Sequence, residues 1–366
     1  MKKKLIIFHP SLEEGGVEKN LYLISNYLND QGIVIEILTC NYDKKKRFNK
    51  GIKFIGTKSL FFQNKSRIVK YLICSTILLF TLLLKRNKPL IFAFQANIFA
   101  IIIAKILNTK VITRSNSAPS GWSKKILKKC IYKFFINLAD DVVVNSIEFK
   151  KSFEKEFKKK TIFIYNPFDK NYIYSKLKKN YKIKFFKNNF LKIISIGRLT
   201  DQKDHLTLLK SIQLLDSSFK VKLIIAGKGK NYSLLKNFIL KNKLQNKIKL
   251  LGYLKNPYRY IKCANIVVLT SKFEGLPNIL LEAQHLNKYI ISTNCPTGPK
   301  EILLNGKAGD LINMGDYKKL SSLIMDFDKN KKRINKKIKE GLKYFNRFDY
   351  EANCKKYLDL VKKNLL

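Results

Sequence analysis

The stretch ANIVVLTSKFEGLPNILLEA, residues 264–283, decides the fold. Its first part, Ala264 to Ser271, is a short apolar run rich in β-branched residues, as expected of a parallel-sheet strand. The part after Pro277 reads as a helix, and proline in a first helical turn sacrifices no hydrogen-bond donor. Glu274 therefore falls at the strand end, while Glu282 sits inside the helix about two turns further on. Strand, glycine turn and helix together make the repeating unit of an α/β fold, whose ligands bind at the carboxyl ends of the strands.

The same alternation runs outward in both directions. LIIF (5–8), IVIEILT (33–39), LIFAF (90–94), KVITRS (110–115) and DVVVNS (141–146) read as strands in the first half. Between the first two, Val17, Leu21, Ile24 and Leu28 recur at helical spacing, and Gly32 offers a stop. From Asn166-Pro167 to Phe190 the chain is polar and lysine-rich without periodicity, which marks a linker region. The pattern then restarts with LKIISIG (191–197), VKLIIAG (221–227), KIKLLG (247–252), NIVVLTS (265–271) and KYIISTN (288–294). The fold class expected is α/β: two doubly wound parallel sheets facing a cleft, with a last helix from about Tyr350 packing back across it.

A length of 366 residues accommodates two ordinary domains, and 46% hydrophobic residues excludes wholesale disorder. The net charge of +47 has three readings: nucleic-acid binding, attraction to an anionic membrane, or a genome biased toward A and T. Abundant Lys, Asn, Ile, Phe and Tyr beside scarce Arg favours compositional bias as the main cause, and no nucleic-acid recognition motif accompanies the lysines. The six cysteines are scattered without metal-ligand spacing and read as reduced thiols of a cytosolic protein. The apolar run after the N-terminal lysines ends at His9-Pro10, too short for a signal sequence, and reads as a strand. The uncharged run Tyr71 to Leu84 falls short of the roughly 18–20 residues of a bilayer span. A buried or interfacial helix is expected there, with basic residues on both flanks.

Three loops carry candidate chemistry. Gly15 and Gly16 open the first helix, where free backbone N–H groups suit a phosphate. In GRLTDQKDH (197–205), Arg198 and Lys203 follow a strand, and two cations there suit a diphosphate. In FEGLPN, Gly275 and Leu276 bring backbone N–H groups to a helix start, while Glu274 and Glu282 are acceptors suited to vicinal hydroxyls. Taken alone, the two acids fit equally well this ligand-binding role and a bland one, in which Glu274 caps the helix electrostatically and Glu282 is solvated. A GKG at 227–229 raises an oxidoreductase reading, but the third glycine of a dinucleotide fingerprint would fall on Tyr232.

With these loops in order, the chain resembles the retaining glycosyltransferases of family 4, which have the GT-B fold. The resemblance rests on GG at 15–16, GRLTDQKD at 197–204, IIAGKG at 224–229, LGYLKNPYRYIKCANIVVLTS at 251–271, the Glu274/Glu282 pair, CPTGPKEIL at 295–303 and NGKAGDLI at 305–312. It implies an acceptor-binding domain over 1–180, a nucleotide-sugar domain over 181–345 and a closing helix over 346–366. It makes Arg198, Lys203 and Glu274 catalytic, Arg198 and Lys203 holding the donor diphosphate. Donor contacts extend to Gly15, Gly16, Gly197, Gly275, Leu276, Pro277 and Asn278, and Glu282 takes the ribose hydroxyls. It implies neither cofactor nor metal beyond a nucleotide-sugar co-substrate, with UDP the expected nucleotide and a hexose or N-acetylhexosamine the sugar.

One departure stands out. Where many members place a histidine after the fourth N-terminal strand, this chain has ITRSNSAPSGWS (112–123). Arg114 and Asn116 are the acceptor-side candidates in that stretch, together with His9 at the end of strand one. None of the three is needed as a base if the leaving phosphate itself takes the acceptor proton. WSKKILKKCIYKFFINL (122–138) is a basic amphipathic helix, and two readings stay open: an interfacial helix, or one that packs its apolar face inside the protein. The first implies a lipid-linked acceptor, an anionic membrane surface as partner, and a cytoplasmic enzyme peripheral on the inner membrane. Nucleic acid is not an expected partner.

Overall fold

The computed structural model of the protein describes residues 4–13, 15–57, 59–116, 126–177, 182–186 and 189–365. The chain forms two compact units, Met1–Pro167 with Phe348–Leu366, and Phe168–Arg347. In the first unit β1 (Lys4–Phe8), β2 (Val34–Leu38), β3 (Lys53–Ile55), β4 (Leu90–Ala93), β5 (Val111–Arg114), β6 (Asp141–Val144) and β7 (Ile162–Phe163) make a parallel sheet in the order β3-β2-β1-β4-β5-β6-β7. Around it run α1 (Gly16–Asp30), α2 (Leu60–Gln63), α3 (Arg67–Leu83), α4 (Asn97–Ile106), α5 (Ile126–Leu138) and α6 (Ile147–Phe157).

The second unit begins with α7 (Lys170–Lys176). Its strands β8 (Leu191–Ile196), β9 (Val221–Ala226), β10 (Ile248–Leu251), β11 (Ile266–Leu269), β12 (Tyr289–Thr293) and β13 (Asp310–Ile312) lie parallel in the order β10-β9-β8-β11-β12-β13. Its helices are α8 (His205–Gln213), α9 (Tyr232–Lys241), α10 (Tyr258–Cys263), α11 (Asn278–His285), α12 (Pro299–Ile302), α13 (Tyr317–Met325) and α14 (Lys331–Lys343). The final helix, α15 (Tyr350–Leu365), returns to the first unit.

The continuous apolar strands follow from burial on both faces. In β1, Leu5 and Ile7 enter a core shared with α1 and α15, while Ile6 and Phe8 enter the opposite core under α3, α4, α5 and α6. Period-two alternation therefore feeds two cores from one all-apolar run. Helix α1 buries Leu21, Ile24 and Leu28, and Gly32 follows its end at a φ of 81°, a left-handed turn that glycine adopts without steric cost. Strands β3, β7 and β13 escape sequence reading because each has two or three residues at a sheet edge, too few for a period to show.

The apolar segment after residue 67 is the 17-residue α3, and among the described residues no helix is long and apolar enough to cross a membrane. It buries Cys74, Leu78 and Leu82 and leaves its other side outward. Helix α5 packs on the core through Ile136 and Tyr132, while Leu127, Ile131 and Phe134 face out. Trp122, Lys124 and Lys125, grouped with this helix on the sequence, lie outside the described residues.

Arg114 lies inside the first unit at 1% exposure. Its Nε donates to the Tyr357 hydroxyl at 3.0 Å, one terminal nitrogen donates to Asn166 Oδ1 at 2.6 Å, and the other donates to Asn116 Oδ1. A guanidinium cannot shed its charge, so these acceptors are what make its burial tolerable. The arrangement ties the end of β5 to α15, across 243 residues of sequence. Replacing Arg114 by Met removes the charge together with its three donated hydrogen bonds, and is expected to destabilise the first unit by about 3 kcal/mol. Hydrogen exchange of the α15 amides reads the effect; undiminished protection in Arg114→Met would show that the tie carries no stability.

Candidate functional site

In a doubly wound sheet, loops diverge where the strand order reverses, and a ligand fits in the gap. In the second unit that point lies between β8 and β11. The loop after β8 carries Gly197, Arg198 and Lys203, and the loop after β11 carries Ser271, Glu274 and Gly275. Backbone and side chain knit the two. Lys272 N donates to Gln202 O at 2.8 Å, Gln202 Nε2 to Phe273 O at 2.9 Å, and Thr270 Oγ1 to Lys203 O at 3.0 Å.

At their junction Glu274, 7% exposed, accepts from Ser271 Oγ at 2.6 Å and from Lys203 Nζ, both on Oε1. The ammonium and hydroxyl hold a nearly buried carboxylate in one orientation. Lys203 lies along Gly197, where a Cβ would come within 3.3 Å of its side chain. Arg198 is exposed, and one terminal nitrogen donates to Gln202 Oε1 at 3.2 Å. An exposed guanidinium thus stands on the same loop as a lysine already in an ion pair. Ser271, at the third position before Glu274, was not singled out by the sequence reading, because a serine after a strand has no spacing signature of its own.

The CPTGPK stretch finds its reason here. Gly298 has a φ of 91°, and a Cβ on it would stand 1.9 Å from Gly275 O. The backbone after β12 therefore presses directly on the glycine of FEGLPN, and Thr297 Oγ1 lies 3.4 Å from the carbonyls of Glu274 and Gly275. Pro277 is the residue before the helix, with α11 starting at Asn278. It stands outside the helix because its ψ of 109° is extended, which hands the first helical turn to Asn278. Leu276 is buried, Asn278 is half-buried, and Glu282 lies on α11 at 7% exposure.

Two neighbouring groups are electrostatically muted. Burial, followed by the Glu274 carboxylate, pushes the Cys295 thiol up to about 12. Burial, followed by the Lys203 charge, holds His205 down at about 3, so its imidazole is neutral at physiological pH. Among the described residues, His285 sits in an aromatic cluster with Phe168, Tyr174 and Phe345.

The first unit reverses its strand order between β1 and β4. His9 follows β1 fully buried, with Nε2 3.5 Å from Glu18 Oε1. Gly15 has an extended backbone, so torsion does not demand glycine; a Cβ there would meet Glu18 Oε2 at 2.9 Å. The glycine lets the first-turn carboxylate fold back over the helix start, beside Gly16, the first residue of α1. Across the reversal Ser11 N donates to Gln95 Oε1 at 2.9 Å. Asn116 joins this edge through Nδ2, which donates to Phe94 O at 2.9 Å. Arg114 is engaged as described above, and its guanidinium is spent on protein acceptors.

Comparison with known proteins agrees with the two-unit α/β fold. Residues 14–172 match the family described as Glycosyltransferase Family 4, and residues 177–344 match Glycosyl transferases group 1. An uncharacterised glycosyltransferase of Methanocaldococcus jannaschii is 38% identical over 54% of this chain and 51% of its own length, so the chain spans about half of that relative. A Campylobacter jejuni protein, N-acetylgalactosamine-N,N'-diacetylbacillosaminyl-diphospho-undecaprenol 4-alpha-N-acetylgalactosaminyltransferase, is 26% identical over 97% of this chain and 99% of its own. Among solved structures, Anabaena HepE in complex with UDP and glucose superposes with a TM-score of 0.79, 17% identity, 99% of this chain and 100% of its own. At that identity the likeness establishes the fold.

Gly298→Ala is expected to push the FEGLPN turn away, lowering thermal stability by several degrees. A crystal structure or hydrogen exchange at 274–278 checks it; an unmoved turn would contradict the close packing. His205 makes a separate pH prediction. Its folded pKa lies below that of the unfolded chain, so the unfolded chain takes up the proton first. The stability this costs is absent above about pH 6.5 and grows as pH falls toward 3. Between pH 6.5 and 5 the loss is about 2 kcal/mol. Urea unfolding across that range should be visibly flatter for His205→Leu than for the native chain.

Proposed function

The chain belongs to the glycosyltransferases of family 4, with the GT-B fold, and from that premise we propose a specific reaction for it. It moves a hexose or N-acetylhexosamine from a UDP-sugar to a lipid-linked or saccharide acceptor, with retention at the anomeric carbon, in the assembly of a bacterial surface glycan. The observation that carries the reading is the convergence of Arg198, Lys203 and Glu274 on the two loops that flank the strand-order reversal of the second unit. The name of the Campylobacter jejuni relative supports a lipid-linked acceptor, and the UDP and glucose of HepE support the donor.

In this reading the bond between the sugar C1 and the β-phosphate oxygen breaks while the acceptor oxygen bonds C1 from the same face. The acceptor proton passes to the departing phosphate, so no protein base is required. Negative charge grows on the diphosphate, and the cations of Arg198 and Lys203 oppose it. They supply the charge that a divalent metal would otherwise bring. Glu274, oriented by Ser271 and Lys203, accepts hydrogen bonds from sugar hydroxyls, with the backbone of Gly275 to Asn278 beside it. Glu282 accepts from the ribose. Binding the diphosphate draws Lys203 partly from Glu274 toward phosphate, so donor binding and carboxylate orientation are coupled. The enzyme works in the cytoplasm, at the inner face of the membrane that carries its acceptor.

Arg198→Ala is expected to lower kcat by about a hundredfold or more with a smaller change in KM, as for loss of one transition-state donor. Glu282→Ala is expected to weaken UDP binding at least tenfold in calorimetry. Unchanged UDP affinity in Glu282→Ala would remove the ribose assignment, and a native protein that hydrolyses no UDP-sugar in a donor panel would remove the donor.

A further inference from the structure

Helices α3 and α5 lie in the same helical layer of the first unit, and α4 packs against both. Each turns an apolar stripe outward. On α3, Ile68, Leu72, Phe80 and Leu83 recur along one side, with Phe80 and Leu83 each 58% exposed. On α5, Leu127, Ile131, Phe134 and Leu138 do the same, with Leu127 at 72% and Phe134 at 64%. Isolated exposed apolar side chains are ordinary, but two stripes on the helices that flank α4 in one layer are an interaction surface.

The polar atoms of α3 suit an environment without water. The hydroxyls of Ser75, Thr76 and Thr81 donate to the carbonyls of Tyr71, Leu72 and Ile77, at 2.7, 3.1 and 2.7 Å. Each is thus satisfied within the helix, which removes the desolvation cost of carrying it into an apolar phase. Helix α3 holds no acidic residue, and two of the basic groups at its ends are paired, Arg67 with Glu13 and Lys85 with Glu36. Helix α5 is built otherwise. Lys128 and Lys133 stay exposed beside its apolar stripe, and it too has no acidic residue.

We infer that the outward faces of α3 and α5 together dock the first unit onto an anionic lipid bilayer, α3 supplying apolar insertion and α5 the attraction to lipid phosphates. Charge selects this occupant. A second copy would set Lys128 and Lys133 against their own like charges, and a nucleic acid would leave the apolar stripes uncovered. Insertion is shallow, at the depth of an interfacial helix. Each lysine close to an anionic surface is expected to raise binding about fivefold. The surface deepens the proposed function by naming what brings a lipid-linked acceptor within reach.

The test is flotation of the full chain with vesicles of neutral phosphatidylcholine, alone or with three-tenths phosphatidylglycerol, beside a UDP-sugar hydrolysis assay. The native chain should float with the anionic vesicles, at least tenfold more weakly with neutral ones, and less as salt rises. Lys128→Glu with Lys133→Glu should erase the preference for anionic lipid. Leu72→Ser with Phe80→Ser should reduce binding to both vesicle types, and UDP-sugar hydrolysis should be unchanged in every variant. A native chain that stays with the soluble fraction, or variants that float equally well, would overturn the docking surface. Self-association abolished by the same substitutions, without flotation, would assign the face to a second copy instead. Flotation without hydrolysis would fault the donor reading and leave the surface standing, so the two failures are distinguishable.

Discussion

Parallel strands can be joined only by crossovers that return to the same edge, and that constraint governs everything else in this protein. Each sheet is buried on both faces by its crossover helices, so its strands are apolar throughout and every strand-to-helix loop emerges at the carboxyl edge. Where the order reverses, between β1 and β4 in one unit and between β8 and β11 in the other, neighbouring loops part to opposite sides. The chemically endowed residues collect at those two points. Glu18 folds over Gly15 and stands near His9 at the first, and Lys203 meets Glu274 at the second.

The second reversal shows how such a point is held open yet fixed. Three loops, after β8, β11 and β12, are pinned by backbone hydrogen bonds between Lys272 and Gln202 and between Glu274 and Pro296. Gly298 packs directly against the Gly275 backbone, so the turn that presents Leu276 and Asn278 is buttressed from behind. Within this scaffold Lys203 pairs with Glu274, while Arg198 remains turned to solvent on the same loop. Neutral His205 and the raised Cys295 thiol beside them add no competing charge.

The first unit is closed by a segment far away in sequence. Helix α15 contributes Cys354, Tyr357, Leu358, Leu360 and Val361 to the core beneath β1, and Tyr357 receives the Nε donation of Arg114. On the opposite face the helical layer keeps a dry inner side, with Cys74, Leu78 and Leu82 in α3, and an apolar outer side as well. A helix that is apolar all round is usually a core or membrane helix. Helix α3 covers one of its apolar sides with the core and leaves the other exposed.

The sequence by itself determined the elements that repeat a period. Central strands such as LIIF and NIVVLTS announce burial on both faces, and Gly32 and the glycines of FEGLPN and CPTGPK mark turns, because apolar runs and φ-permissive residues act locally. The cations of GRLTDQK and the acids of FEGLPNILLEA were legible through their place after strands. What the sequence left open is what depends on partners distant along the chain. The edge strands β3, β7 and β13 exist only through pairing with a neighbour. Ser271 acquires a role only by meeting Glu274 and Lys203, and Arg114, exposed to a functional reading on paper, is claimed by Tyr357 and Asn166 in three dimensions. The outward turn of α3 and α5 was likewise undecidable from composition, since an amphipathic pattern states that two faces differ and not which of them the rest of the protein covers. Only the packing of α4 between them settled that.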